Sequence, residues 1–351
     1  SKASPFMYPN ATACRLHGRG EHMRTTFPTS IVVATLAVFA CAPAMAWNDV
    51  GHKATAALAF DLLSGEAQLA AGRILMSHPR FEQEFAAPMP EGVRRGSERE
   101  QSRWLFLRAS IWPDLARQIG GPDKERFNRP TWHYINHVVW LHDDDRAALD
   151  GTLTHNKATR FEPPLKPGMN AVQALRGNLA IWHDESASAA DKALALSWIL
   201  HIAGDLHQPL HNVALFSVDL FPAGDRGGNL IEVEDGAETH TLHFVWDWLP
   251  SDIDGLAPDA KLQRTLDGDM NSPASFEAWL EHHANLARLF VYSGELTAQF
   301  PVSGPRVGPL RVRLSERYLD DGRRVARRQL ILAGHRMARL LVAPMTGEGI
   351  D

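Results

Sequence analysis

Beyond residue 46 this sequence has no cysteine; the two in its 351 residues are Cys14 and Cys41. A fold built from 47–351 therefore lacks disulfides and must rest on its hydrophobic core, and that length suffices for one large domain or two small ones. The same segment has no Asn-x-Ser/Thr acceptor, the chain's one example being Asn10, which fits an exported bacterial protein better than a eukaryotic secreted one. A basic excess is missing too. The chain carries −5 overall, and residues 1–46 hold Lys2, Arg15, Arg19 and Arg24 against Glu21, a net of +3, so the remainder carries −8 with His neutral. That balance makes the chain a poor candidate for binding nucleic acid through a broad basic surface, and any attraction for an anion must be local. There is no internal repeat and no low-complexity tract.

Long hydrophobic runs are also lacking. The apolar run Ile31–Ala42 is too short for a stop-transfer helix. With the positive start Met23-Arg24 and the A-x-A site Ala44-Met45-Ala46, residues 23–46 read as a signal peptide and 1–22 as an upstream extension outside the fold. Lipoprotein processing before Cys41 is disfavoured by bulky Phe39. The expectation is a secreted or periplasmic protein with no membrane anchor that starts at Trp47.

What is present is helical periodicity. Apolar residues recur every three or four positions in 191–206 (DKALALSWILHIAGDL), 273–292 and 321–342, and more weakly in 51–63 and 98–119. One strand is expected at Leu230–Val233 after the Gly227-Gly228 turn, pairing with 239–243. Segments 143–168 and 214–229 read as long loops, which inside a domain are more often functional than idle. The expected fold is mainly α, a single large helical domain over 47–351 with a short β-hairpin.

Potential metal chemistry collects in four places. In HIAGDLHQPLH, residues 201–211, His201 and Asp205 stand four apart and project from one helix face. His207 falls off that face, and His211 follows Pro209, which disturbs the helix. HFVWD repeats the spacing with His243 and Asp247; WPDLAR supplies Asp114 and, one turn on, Arg117; WHYIN supplies His133. Imidazole with carboxylate suits zinc, and three or four converging ligands make a site. On spacing alone each element also has an ordinary explanation: a helical His-x₃-Asp surface hydrogen bond, Asp114 as a cap, His133 as a satisfied core histidine.

WNDVGH, WPDLAR, WHYIN, HIAGDLHQPLH, DRGGN and LHFVWD occur in the order carried by zinc-dependent nucleases of the fungal single-strand and plant type I kind. From Trp47 to about Asp247 the chain resembles that family, which has bacterial members and shares its fold with zinc phospholipases C. The resemblance implies a phospholipase C/nuclease-like fold with three zinc ions. One would be held by Asp114, His133, His201 and Asp205. A second would take Asp205 as a bridge, His52, and Trp47 through its free α-amine and its carbonyl, which close a five-membered chelate ring once the leader is removed. The third would take His211, His243 and Asp247. Three divalent ions against three aspartates leave about +3 at the site, concentrated inside an acidic chain. The implied activity is hydrolysis of single-stranded DNA and RNA by zinc-activated hydroxide, giving 5′-phosphorylated products, with 3′-nucleotidase action on mononucleotides. Arg117 would assist a phosphoryl oxygen, and no stable protein partner is implied.

Two positions depart from the family. Asn136 stands where fungal members carry an Asp assigned to orient or deprotonate the water, and an Asn can orient water without taking its proton. Trp248 follows Asp247 where relatives carry a small polar residue touching a base; it is a candidate for stacking on a nucleobase or for burial. His137, His142, His282 and His283 match no motif and read as structural or solvent-facing, while His207 reads as an orienting neighbour of a ligand. Two other readings remain. A zinc phospholipase C of the same fold ends its third site with Glu rather than Asp247 and has a longer Trp-to-His spacing. A non-catalytic periplasmic zinc binder would leave no coordination position open.

Overall fold

Among the described residues nine α-helices reach seven residues: Asp143–Leu149 and eight others, one of which is buried among its neighbours. The eight are α1 (Asp49–Leu62), α2 (Gly65–Leu75), α3 (Glu98–Ala116), α4 (Ala171–His183), α5 (Ala189–Asp205), α6 (Leu242–Trp248), α7 (Phe276–Leu286) and α8 (Glu316–Val342). The computed structural model describes residues 47–235, 238–252, 275–301 and 308–342. The expected extension 1–22 and signal peptide 23–46 lie outside the described residues, as do 343–351. Among the described residues no helix is long and apolar enough to cross a membrane.

Helix α5 begins at Ser188, whose side chain accepts from the Asp191 amide, and every residue from Ser197 to Asp205 is buried. Burial on all sides is what a helix apolar around most of its circumference requires, and α1, α2, α3, α4 and α8 pack around it. Its few polar groups are satisfied or converge on one spot; the Ser197 hydroxyl donates back to the Ala193 carbonyl at 3.0 Å. Helix α3 starts from a reciprocal capping box between Ser97 and Glu100 and carries Pro113 just ahead of Asp114. Helix α4 has the same device in Asn170 and Gln173. Helix α8, expected over 321–342, begins five residues earlier and packs along α1 and α5. The expected 273–292 helix divides into α7 and a π turn, Ala287–Val291.

The strands are short. β1 (His137–Trp140) and β2 (Val213–Phe216) form a parallel ladder, His137 opposite Val213 and Trp140 opposite Phe216. This ladder corrects the reading of 214–229 as loop from its first residue: all four β2 residues are buried, so no alternation of polar and apolar positions marks the strand. Segment 143–168 likewise opens with a helix, Asp143–Leu149, before its irregular course. The expected hairpin is present as β3 (Ile231–Asp235) antiparallel to β4 (Glu238–Thr241), with β5 (Leu310–Val312) parallel on the other side of β3. The second strand stops two residues short of the expected 243, because the Thr241 side chain accepts from the Phe244 amide and starts α6.

Candidate metal centre

Four separate segments bring buried imidazoles and carboxylates together at the last turn of α5. His201 and Asp205 come from α5 itself, Asp114 from the last turn of α3, His52 from the first turn of α1, and His133 from the 3₁₀ turn Pro130–His133. His52 can reach only because Gly204 has no side chain: a Cβ there would lie 2.8 Å from His52 Nδ1. With the Cβ absent, the His52 ring stacks on His201 at 4.1 Å. Asp205 uses its two oxygens in two directions. Oδ2 faces His133 Nδ1 at 3.3 Å and His201 Nε2 at 3.4 Å, whereas Oδ1 faces His52 Nε2 at 3.2 Å. Asp114 Oδ1 stands 3.8 Å from both His133 Nδ1 and His201 Nε2, which are 2.9 Å from each other.

A neighbouring cluster is made of His211, from the one-turn helix Pro209–Asn212, with His243 and Asp247 one turn apart on α6. His243 Nε2 lies 3.3 Å from Asp247 Oδ2, and His211 Nε2 lies 3.8 Å from Asp247 Oδ1. The start of the described chain is tied to this cluster, since the Asn48 amide donates to the Asp247 carbonyl at 3.0 Å. The residues fall into three groups that could hold metal ions: His52/His201/Asp205, Asp114/His133/His201, and His211/His243/Asp247. His201 belongs to both of the first two.

The donor atoms fit such ions. Tetrahedral bonds of about 2.0–2.1 Å set ligand atoms about 3.3–3.4 Å apart, close to the separations above. Both oxygens of Asp205 are buried with no hydrogen-bond donor, which in a settled interior calls for a cation. Three of the five cluster imidazoles are held by backbone carbonyls on the side away from the clusters. His201 Nδ1 donates to Ser110 at 2.8 Å, His211 Nδ1 to His133 at 2.6 Å, and His243 Nδ1 to Gly227 at 2.6 Å. These acceptors assign the tautomer and leave each Nε2 with a lone pair. His211 and His243 then face each other at 3.0 Å, Nε2 to Nε2. Burial brings His243 down to about 4 and His211 well below its ordinary value, so neither is an imidazolium at neutral pH. A shared cation resolves the contact between the two lone pairs.

The carboxylates are pushed the opposite way by the same burial, Asp114 up to about 6 and Asp205 and Asp247 well above their ordinary value. His52 is brought down to about 4, with Asp114 opposing the effect of burial. Arg117 caps α3 with Nε 3.1 Å from Asp114 Oδ1 and its side chain 16% exposed, and its charge is felt in all three groups. Neutral imidazoles, under-compensated carboxylates and one partly exposed guanidinium make a pocket ready for divalent ions and an anionic ligand.

Trp47 is fully buried. Asn136 is half-buried between His133 and β1. Trp248 is half-buried on α6, its ring 5.5 Å from Phe244, which stacks on His240 at 4.7 Å. His207 does not orient a cluster residue: its Nδ1 donates to the Ala203 carbonyl and its Nε2 accepts from Arg336 at 3.0 Å. His283 is buried against Trp279 and Gln329, His282 meets Gln329, His137 faces Glu281, and His142 is exposed. Sequence reasoning passed over Gln208, whose Nε2 donates to Asp247 Oδ1 at 2.7 Å. Its sequence signal is its place inside HQPLH, between two histidines.

A family model for S1/P1 nucleases matches residues 47–345. Nuclease S1 of Aspergillus oryzae is 40% identical over 63 residues, 18% of this chain and 19% of the relative. Endonuclease 2 of Arabidopsis thaliana is 42% identical over 53 residues, 15% of this chain and 16% of the relative. Each of these two alignments thus spans less than a fifth of the relative's length. The family match covers every cluster residue, and on its extent this chain belongs to the S1/P1 nuclease family.

Proposed function

We propose that the chain, after removal of residues 1–46, is an exported zinc-dependent nuclease. It would hydrolyse single-stranded DNA and RNA to 5′-phosphorylated products and act as a 3′-nucleotidase on mononucleotides. The observation that carries this reading is the 3.0 Å contact between the Nε2 atoms of His211 and His243, two unprotonated nitrogens beside the Asp247 carboxylate within a family of nucleases.

The residues that would hold zinc are Asp114, His133, His201 and Asp205; His52 and Trp47 with a shared Asp205; and His211, His243 and Asp247. When bound, zinc supplies Lewis acidity toward a phosphoryl group and makes hydroxide available near neutral pH. The protein's own groups do the rest. Carbonyl-anchored imidazoles keep the ligand nitrogens fixed, so no reorganisation is needed as charge develops at phosphorus. Arg117, partly exposed beside Asp114, holds a phosphoryl oxygen and screens the aspartates from it. Asn136 orients water through its side-chain amide. Trp248, half-exposed next to Asp247, offers a face on which a base stacks, an interaction that tolerates any sequence.

The test is an assay of the processed protein with zinc on single-stranded DNA, RNA, a 3′-mononucleotide and phosphatidylcholine, with and without chelator. Chelator-sensitive cleavage of the nucleic acids with no lipid hydrolysis is expected. Phosphatidylcholine hydrolysis alone would identify a phospholipase C of the same fold. Zinc binding with no turnover of any substrate would identify a storage or structural zinc protein.

A further inference from the structure

The segment Asp225-Arg226-Gly227-Gly228-Asn229 is the most strained stretch near the clusters. Gly224, Arg226, Gly227 and Gly228 have φ of 83°, 57°, 60° and 81°, the left-handed region that an arginine adopts at a cost. It is wedged between two ligand-bearing segments. A Cβ on Gly227 would lie 2.3 Å from the Leu210 carbonyl oxygen, the residue before His211. At the centre of the turn, the Gly227 carbonyl takes the Nδ1 hydrogen of His243 at 2.6 Å.

Such a turn needs an outside hold, and Asp225 provides it. Its side chain is fully buried. Oδ1 accepts from the Leu215 amide at 2.9 Å, and Oδ2 accepts from the Gly228 amide at 2.9 Å and from the Tyr292 hydroxyl at 2.6 Å. One carboxylate thus pins the turn to β2, closes it on itself and clamps it to a tyrosine 67 residues away. Both Asp225 oxygens are spent on these donors and face no cluster, so the residue is not a metal ligand. Burial raises Asp225 to about 6 and lifts Tyr292 well above the ordinary phenol value, so the phenol keeps its proton and remains the donor.

We propose that Asp225 and Tyr292 are positioning residues for the His211/His243/Asp247 cluster: by fixing the Gly227 carbonyl they fix the ring of His243, and so set that cluster's affinity for a divalent cation. The inference rests on the metal-dependent reading above. His243 Nε2 is 3.0 Å from His211 Nε2 and 3.3 Å from Asp247 Oδ2, and a ring pivoting on a loosened Nδ1 anchor would carry Nε2 out of that arrangement. Outer partners of this kind set metal affinity by about 10–100-fold.

Tyr292→Phe removes one hydroxyl from a buried ring and keeps its packing, and Asp225→Asn removes the charge. The whole processed chain is titrated with zinc against a chelating dye, bound metal is counted by elemental analysis, and the melting of the metal-free forms is recorded. Tyr292→Phe is expected to weaken one of three zinc sites about 10–100-fold, to leave the other two as in the parent protein, and to regain cleavage in excess zinc. Asp225→Asn should act in the same direction; if it fails to fold, the Phe variant alone carries the test. Three unaltered zinc affinities in folded Tyr292→Phe overturn the inference while the nuclease reading stands. Equal weakening at all three sites also overturns it, as a general loss of packing. A parent protein that takes up no zinc overturns both.

Discussion

Removing bound ions from the loaded protein at pH 7.5 is expected to lower its melting temperature by at least about 6–12 °C. The bound ligands stand in a dry interior, and the magnitude follows from Asp114. Burial raises its carboxyl from 3.8 to about 6, against the pull of Arg117. At about 1.36 kcal/mol per pKa unit, that rise is worth about 3 kcal/mol. A raised acid contributes stability that is fully present below the unfolded value of 3.8 and is lost as pH climbs through about 6. At pH 7.5 the metal-free protein therefore bears the whole cost of an ionised Asp114, which a facing cation would offset. Asp205 and Asp247 are displaced in the same direction by the same burial, so about 3 kcal/mol is a lower bound. For a large domain each kcal/mol moves the midpoint by about 2–4 °C. The gap between loaded and stripped protein should narrow at pH 5, because the ions must then displace a proton from Asp114 before binding. Thermal circular dichroism with and without chelator at both pH values, with metal content measured on the same samples, reads the effect. Identical melting at pH 7.5 after confirmed metal removal would show that the buried carboxylates are balanced without a cation, and the reasoning fails.

Two further outcomes follow from particular residues. Protein carrying extra residues ahead of Trp47 should hold about one zinc fewer of the three expected and lose activity, and equal metal content in both forms, by elemental analysis, refutes the terminal chelate. Trp248→Ala should raise KM for single-stranded oligonucleotides about 5–150-fold, the equivalent of about 1–3 kcal/mol of stacking, with zinc content unchanged; an unaltered KM assigns Trp248 to packing.

The gathering of His201 with Asp205 and of His243 with Asp247 was legible because four-residue spacing on a helix is itself a statement about direction. Asp114, His133, His52 and His211 lie on four other segments, and they entered through motif order, with no rule of spacing to join them. The long helices were visible in their periodicity, whereas β1 and β2 were not, since four residues are too few to carry a pattern and all four of β2 are buried. What lay beyond sequence reading has a common cause. The partners of the imidazoles are carbonyls of Ser110, His133 and Gly227, and a carbonyl is present at every residue whatever its side chain. Gln208, Asp225 and Tyr292 depend on contacts across 39 and 67 positions, and the direction of His207 toward Arg336 depends on one across 129.

These carbonyl anchors bear on how the clusters relate to each other. His133 contributes its ring to the group with Asp114 and His201, and its carbonyl to the Nδ1 of His211 in the other cluster. The adjoining Ile135 amide donates to the His211 carbonyl at 2.8 Å, so the two segments are fastened in both directions. An ion that fixes the His133 ring in place also fixes the acceptor that orients His211, and the converse holds by the reciprocity of linked equilibria. Asp205 extends the linkage, since its two oxygens face different histidines. The centre is therefore one coupled unit whose parts share a residue or a hydrogen bond. A substitution at His133 or Asp205 acts on neighbouring ions as well as its own, while Tyr292 acts on the centre indirectly, through Asp225 and the Gly227 carbonyl that anchors His243.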